Sequence, residues 1–358
     1  MKRLVYSLAL LLLVLQPFSA DARPRKHIIG FYNLENLFDT THDEGKDDSE
    51  FLPDGANKWT EDKYRTKLSN MARVIAAMKE ENGMWHTVLG VAEVENRHVL
   101  EDLVAEPQIA AAGYQIVHHE GPDTRGIDVA LLYDPDRFTL IESESLPYTF
   151  DSPSVRFSLS PEEQAEFRTR DALMVHGLID GEHFAIYVAH LPSRRGEKSG
   201  DLRSRGAEII YLHSLEMMRR CPGIKCVVMG DMNDDPVDES MTQYLHGRET
   251  IAEMAPEDYF SPFLSMLKNG YGTLSYRGVW NIFDCILVSY SLANAPKGTL
   301  RIVPTPSTKK KFYGSVFKQP FMTQQSGRYA GTPFRTFSGG EFIGGYSDHY
   351  PTYIVIKK

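Results

Sequence analysis

Short apolar runs of strand length recur along this chain, and each ends on a polar side chain. The most telling is Cys226-Val227-Val228-Met229-Gly230-Asp231-Met232-Asn233, which stops at a tight glycine turn and delivers a carboxylate beside an amide. A second run, residues 353–356, follows Ser347-Asp348-His349, and Asn33 and Glu93 close runs that begin at residues 27 and 87. Residues 129–133, 173–178, 184–189, 224–229 and 282–289 complete the set of predicted strands. Helical spacing is confined to a few stretches. Leu68, Met71, Val74, Ile75 and Met78 share one face of a helix predicted over residues 61–79, and residues 203–219 read as another. Many strands and few helices favour an α/β chain with stacked mixed sheets covered by helices over a purely parallel doubly wound sheet. No repeat or low-complexity linker divides the sequence, so one domain from about residue 23 to residue 358 is expected.

Lys2 and Arg3 precede an apolar run over residues 4–14, and Ala20-Asp21-Ala22 offers small residues at cleavage positions. This predicts a signal peptide over residues 1–22 and a protein exported to the periplasm or the extracellular space. The run is shorter than the roughly 20 residues that cross a bilayer, so no stable membrane insertion is expected. A net charge of −9 argues against coating nucleic acid by bulk electrostatics, while leaving room for a local basic face. Cys221, Cys226 and Cys285 are too few for a disulfide-built scaffold; a Cys221–Cys226 bridge and buried free thiols both stay open. No Cys/His cluster has zinc spacing. A monomer is expected.

Carboxylates, amides and a histidine at strand ends supply hard ligands for a divalent cation, donors for phosphate oxygens and an acceptor for a water proton. In chain order the segments are Phe31-Tyr32-Asn33-Leu34-Glu35, Val91-Ala92-Glu93-Val94-Glu95-Asn96, Gly126-Ile127-Asp128-Val129-Ala130 and Val188-Ala189-His190-Leu191-Pro192-Ser193. Gly230-Asp231-Met232-Asn233, Phe283-Asp284-Cys285-Ile286 and Ser347-Asp348-His349-Tyr350-Pro351 follow. Each alone is weak. Together and in this order they resemble the endonuclease/exonuclease/phosphatase superfamily, across nearly the whole chain after residue 22.

The resemblance implies a four-layer α/β/β/α sandwich of two packed mixed sheets, with phosphoester hydrolysis at one rim assisted by Mg²⁺, or Mn²⁺ in its place. On that resemblance Glu93 is the principal metal ligand, Asn33 supports metal and phosphate, and Glu35 and Asp348 are further metal-side acids. A strand-end carboxylate surrounded by water suits Mg²⁺ on physical grounds as well. Glu95 would share the face of Glu93 if the strand simply continued. Asp231 and Asn233 match the pair that positions the attacking water and the phosphoryl group. Asp284 and His349 match a pair in which the carboxylate orients the imidazole, leaving open whether that histidine is a base or a stabilising cation. His190 matches a position filled by His or Tyr, where it donates to the scissile phosphate.

Arg125, in the loop before Asp128, could reach a substrate phosphate. Arg194, Arg195, Lys198, Arg203 and Arg205 form a basic cluster that reads equally as a substrate-facing patch or a solvated helix entry. Residues 308–346 interleave Lys and Arg, among them Arg335, with aromatics; base stacking, a lipid head-group cradle and a buried hairpin all fit this composition. The acidic stretch 43–50 would repel a phosphate backbone unless it held an accessory cation such as Ca²⁺. The expected activity is that of an exported metal-dependent phosphodiesterase, most simply a nuclease, with nucleic acid as partner. The alternatives are a hydrolase of small phosphate esters, inositol phosphates or phospholipid head groups on the same site, and a non-catalytic binding module.

Overall fold

The computed structural model describes residues 25–194, 199–276, 278–305 and 311–358. The predicted leader, Arg195 and Lys198 lie outside them.

Alternation within the first strand decides the layering. In Lys26–Leu37, Ile28, Tyr32 and Leu34 enter one core while Ile29 and Phe31 enter another, as a strand buried on both faces must. This strand sits inside a seven-stranded sheet, in the spatial order Arg301–Val303, Thr352–Lys357, Lys26–Leu37, Val88–Val94, Asp128–Tyr133 and Gln115–His118, with Gly314–Val316 also paired to Thr352–Lys357. Only Lys26–Leu37 and Val88–Val94 run parallel there. The second sheet also has seven strands, in the order Phe138–Leu146, Ala172–Ile179, Glu182–His190, Lys225–Asp231, Asp284–Ser289, Tyr259–Phe260 and Gly247–Arg248. It too is mixed, with Glu182–His190 parallel to Lys225–Asp231.

The sheets pack face to face through Ile29, Phe31, Val129 and Leu131 on one side and Ile186, Val188, Met229 and Ile286 on the other. Gly90 permits the approach, because a Cβ there would lie 2.6 Å from the Met229 sulfur. Tyr64, Leu68, Met71, Val74, Ile75 and Met78 of the Glu61–Asn82 helix cover the outer face of the first sheet. Ala207, Ile210 and Met217 of the Ser199–Arg220 helix cover the second. The molecule is therefore the expected four-layer α/β sandwich.

The apolar runs became the central strands. Phe138–Leu146 is a strand that hydrophobic patterning does not reveal: it lies at a sheet edge, and most of its residues, including Glu142 and Glu144, point at least partly into solvent. Most of the aromatics of the late segment turned inward, Tyr329 being exposed. Phe312, Phe317 and Tyr346 are buried, and Phe321, Phe334, Phe337 and Phe342 pack against the helix-side core. All three cysteines are free thiols, with Cys226 and Cys285 buried.

Candidate active site

Register places the first half of the site. His190 pairs with Asp231 across the parallel strands, and Asp231 pairs with Asp284 across the antiparallel ones, so three polar residues stand abreast at one rim of the second sheet. Gly230 allows this close pairing, because a Cβ on it would fall 2.1 Å from the Ala189 carbonyl oxygen.

The facing rim of the first sheet is irregular where Asn33 and Glu93 leave it. Pairing between Lys26–Leu37 and Val88–Val94 shifts register after Asn33, and Glu35, Asn36 and Glu93 adopt φ of 50°, 53° and 59°. Asn233, on the opposite rim, has φ 50°. Left-handed backbone at non-glycine residues costs on the order of 1 kcal/mol each and persists where surrounding contacts over-determine it. The same break in alternation explains Glu95. Once the strand kinks at Glu93, Glu95 no longer shares its face, and its carboxylate instead accepts from the Asp39 N–H at 2.7 Å. Burial, with Asp39 and Asp43 nearby, pushes the Glu95 carboxyl up to about 8, although that Asp39 N–H works against the rise.

Asn33 joins the two rims. Its amide nitrogen donates to Asp231 Oδ2 at 2.9 Å and Glu93 Oε1 at 3.2 Å, and Ser347 Oγ donates to its backbone carbonyl at 2.7 Å. The Asn36 N–H donates to Glu93 Oε2 at 2.9 Å. His190 Nε2 lies 3.8 Å from Glu93 Oε1 and 3.7 Å from Asp231 Oδ2. Glu93, His190 and Asp231 thus each place a ligand atom within 4.8 Å of the others, as do Asp231, Asp284 and His349. The two carboxylates are hard oxygen ligands that fit a divalent cation, with the His190 imidazole standing beside them. A third such group, His118, Glu120 and Asp128, lies at the far edge of the first sheet.

The two histidines are in opposite electrostatic situations. Burial, then the Arg170 and Arg125 guanidinium groups and His349, hold His190 well below the ordinary imidazole value. Burial also opposes charging of His349, but Asp284 and Asp231 outweigh it and hold its pKa well above that value. His349 Nδ1 donates to Asp284 at 2.8 Å, leaving Nε2 3.8 Å from both Asp231 and Asp348. Burial pushes the Asp231 carboxyl up to about 6, with His349 pulling against it and Asp284 adding to the rise.

The remaining predicted residues are distributed less uniformly. Asn233 receives an N–H bond from its neighbour's side and gives its amide to the Leu191 carbonyl: Arg194 Nε donates to Asn233 O at 2.8 Å, and Asn233 Nδ2 donates to Leu191 O at 3.0 Å. Arg194 also pairs with Asp234 at 3.2 Å and lies over Phe283, so it braces the Gly-Asp-Met-Asn turn from outside. Arg203 and Arg205 are buried against Asp234 and Glu208 at 2.8 Å and 2.6 Å, which removes them from any free basic patch. Arg125 stays partly exposed beside Asp123.

Glu35 and Asp348 are joined to each other by Arg335. Its Nε donates to Glu35 Oε1 at 3.0 Å and its Nη2 to Asp348 Oδ2 at 3.0 Å. The Thr336 N–H donates to Glu35 Oε2 at 2.7 Å, and the buried Lys67 ammonium stands 4.0 Å away. Burial and Asp348 push the Glu35 carboxyl up to about 7, while burial pulls Lys67 down to about 8 against the attraction of Glu35.

Sequence reasoning missed Lys67, Ser347 as the stitch to Asn33, and Arg170. Lys67 had a signal: it lies one helical turn before Met71, on the stripe that faces the core. Arg170 carried none, since an arginine before a strand is commonplace. Here it is buried between Asp123 at 3.2 Å and the Leu191 carbonyl at 3.0 Å.

No curated protein matches the sequence. Solved structures match along nearly the whole chain at low identity. The Bacteroides thetaiotaomicron mannosyl-6-phosphatase is 15% identical with TM-score 0.53, covering 92% of this chain and 99% of its own. D. rerio TDP2 complexed with single strand DNA product is 15% identical with TM-score 0.52, covering 93% and 99%. The human Nocturnin catalytic domain with bound sulfate anion is 16% identical with TM-score 0.51, covering 92% and 94%. These likenesses concern the fold. Because the model of the Endonuclease/Exonuclease/phosphatase family matches residues 28–358, the chain belongs to that family.

Proposed function

We propose that this chain is a divalent-cation-dependent phosphoester hydrolase whose substrate is a compact phosphate ester. The observation that carries the chemistry is that two groups, Glu93 with His190 and Asp284 with His349, meet on the shared carboxylate of Asp231 where the two sheets face each other. Glu93 would hold Mg²⁺, or Mn²⁺ in its place, with Asp231 and His190 adjoining; when bound, the cation neutralises charge on the phosphoryl and leaving oxygens.

Asp231 accepts a proton from the attacking water, a task suited to a carboxyl raised toward neutrality. His349, kept cationic by Asp284, stabilises negative charge on the phosphoryl group, which favours the cation role over the base role for this residue. Neutral His190 donates to a non-bridging oxygen, and the second Asn233 amide N–H is available for another. Asn33 holds Glu93 and Asp231 at fixed separation.

Compactness of the substrate is supported by the basic side chains. Arg194, Arg203 and Arg205 are turned inward onto acidic partners, and most late-segment aromatics pack into the core. Among the described residues neither feature offers a track for a long polyanion. A nuclease remains the second reading, favoured by the partly exposed Arg125 beside the site and by the DNA product bound to TDP2. Export to the periplasm or beyond belongs to the same proposal and rests on the leader-like residues 1–22; N-terminal sequencing of the mature protein tests it.

The activity test is a parallel assay of a sugar phosphate, a small phosphodiester, and linear and plasmid DNA, each with Mg²⁺, Mn²⁺ or a chelator. Small esters should turn over faster than DNA, and only with metal. DNA cleaved ahead of every small ester would reverse the substrate preference, and metal-loaded protein inert toward all of them would remove the hydrolase reading.

A further inference from the structure

The second rim of the site carries a cation of its own. Arg335 approaches from the segment before the Phe337–Ser338 strand and ties together the two acids, Glu35 and Asp348, that flank Asn33 and His349 in sequence. Its Nε and Nη2 face those carboxylates, and about half of the side chain is exposed at 51%. A purely structural role does not explain that exposure. Glu35 already has the Thr336 N–H and the buried Lys67 as partners, and Lys67 is itself anchored by the Thr336 hydroxyl at 2.6 Å. Among the described residues nothing accepts a hydrogen bond from Arg335 Nη1.

The position also matters. Asp348, held by Arg335, is 3.8 Å from His349 Nε2, and Glu93 is close enough to add to the stabilisation of the guanidinium charge. Two acids and two fixed cations make this rim neutral. Glu93, Asp231 and His190 have no such built-in countercharge from Lys or Arg within ion-pair distance among the described residues. A planar guanidinium fixed on two edges presents its remaining N–H donors in the geometry that suits a phosphate oxygen.

We propose that Arg335 is a phosphate-binding residue of this site, and that Glu35 and Asp348 serve as its holders, so that a single divalent cation, on the Glu93 side, completes the centre. This rests on the phosphoester reading above. Glu35 is then a positioning residue, and the guanidinium contributes the charge that a second cation would otherwise supply.

The test measures Mn²⁺ binding by titration with electron paramagnetic resonance, and inorganic phosphate binding to the Mn²⁺-loaded protein by calorimetry. Wild type should take one Mn²⁺, E35Q should keep it, and E93Q should lose it. R335Q should bind Mn²⁺ like wild type yet bind phosphate about 10-fold or more weakly, with R335K in between because lysine keeps the charge and loses the fork. If R335Q fails to fold, E35Q/R335Q removes the buried carboxylate charge together with the guanidinium and must show the same loss of phosphate affinity. Loss of Mn²⁺ in E35Q to the degree seen in E93Q, two Mn²⁺ ions in wild type, or unchanged phosphate affinity in the arginine variants would each overturn the inference while leaving the hydrolase intact. Wild type that neither binds phosphate nor hydrolyses any ester would overturn both.

Discussion

The two rims of the site handle the same difficulty, clustered negative charge with little access to water, in different ways. On one, Glu35 and Asp348 are matched by Arg335 and Lys67, so their charge is balanced within the chain. On the other, Glu93 and Asp231 share an amide, a neutral His190 and, at 3.8 Å from Asp231, the cationic His349. Desolvated carboxylates at close range repel one another and need cations nearby. The contrast teaches that matching residue types at strand ends, Asn33-x-Glu35 and Glu93, do not imply matching surroundings. What separates them is that the fold brings Arg335 and Lys67 to Glu35 and, among the described residues, no Lys or Arg within ion-pair distance of Glu93.

The strongest way to break the comparison is at Glu93. Glu93→Gln should lower kcat/KM on the best substrate by roughly 10³ to 10⁴-fold, the range for losing a principal electrostatic element, while its melting temperature barely moves. A large loss of thermal stability instead would place Glu93 among the structural carboxylates.

The mirror experiment is Lys67→Met. It strips the buried rim of a cation and leaves Glu35 short of countercharge, so it should destabilise by about 3–5 kcal/mol in urea denaturation. Lys67→Met combined with Glu35→Gln should recover much of that loss. Absence of recovery would show that the lysine acts through packing alone.

Asp284→Asn sharpens the contrast between the histidines. Without the carboxylate, His349 loses the interaction that keeps it cationic, and the rate should fall about 10²–10³-fold with the alkaline limb of the pH profile moved to lower pH. An alkaline limb that stays in place would separate His349 from that ionisation.

The smallest effect is expected at a buried group belonging to neither rim. His86 lies fully buried against Gly30 with no partner for either ring nitrogen among the described residues, and burial lowers its pKa to about 3. Between about 3 and the unfolded value near 6.5, the unfolded chain binds the proton and the folded one does not. Stability is therefore complete above 6.5 and is lost as pH falls toward 3. His86→Leu should flatten that acid limb, recovering about 2 kcal/mol of the loss between pH 7 and pH 5. Parallel acid limbs in wild type and variant would show that His86 titrates elsewhere.

Much of the fold was legible because buried strands announce themselves. Val227, Val228 and Met229, or Ile286, Leu287 and Val288, have no polar member and need apolar cover on both faces. The Phe138–Leu146 edge strand escaped notice since solvent contact frees its composition. In the site, the strand-end residues were visible as outliers in apolar context. Their company was not. Glu95 sits two positions from Glu93 yet faces Asp39, and Arg335 reaches Glu35 across 300 positions of sequence.

By itself, then, the sequence determined which segments are the buried central strands and which polar groups stand at their ends, because both follow from local periodicity and the cost of burying charge. Only the tertiary structure decided how those charges are shared. Left-handed backbone at Glu35, Asn36, Glu93 and Asn233 redirects side chains in ways no alternation pattern encodes. Coulomb energy depends on through-space distance and burial, and those are set by residues hundreds of positions apart.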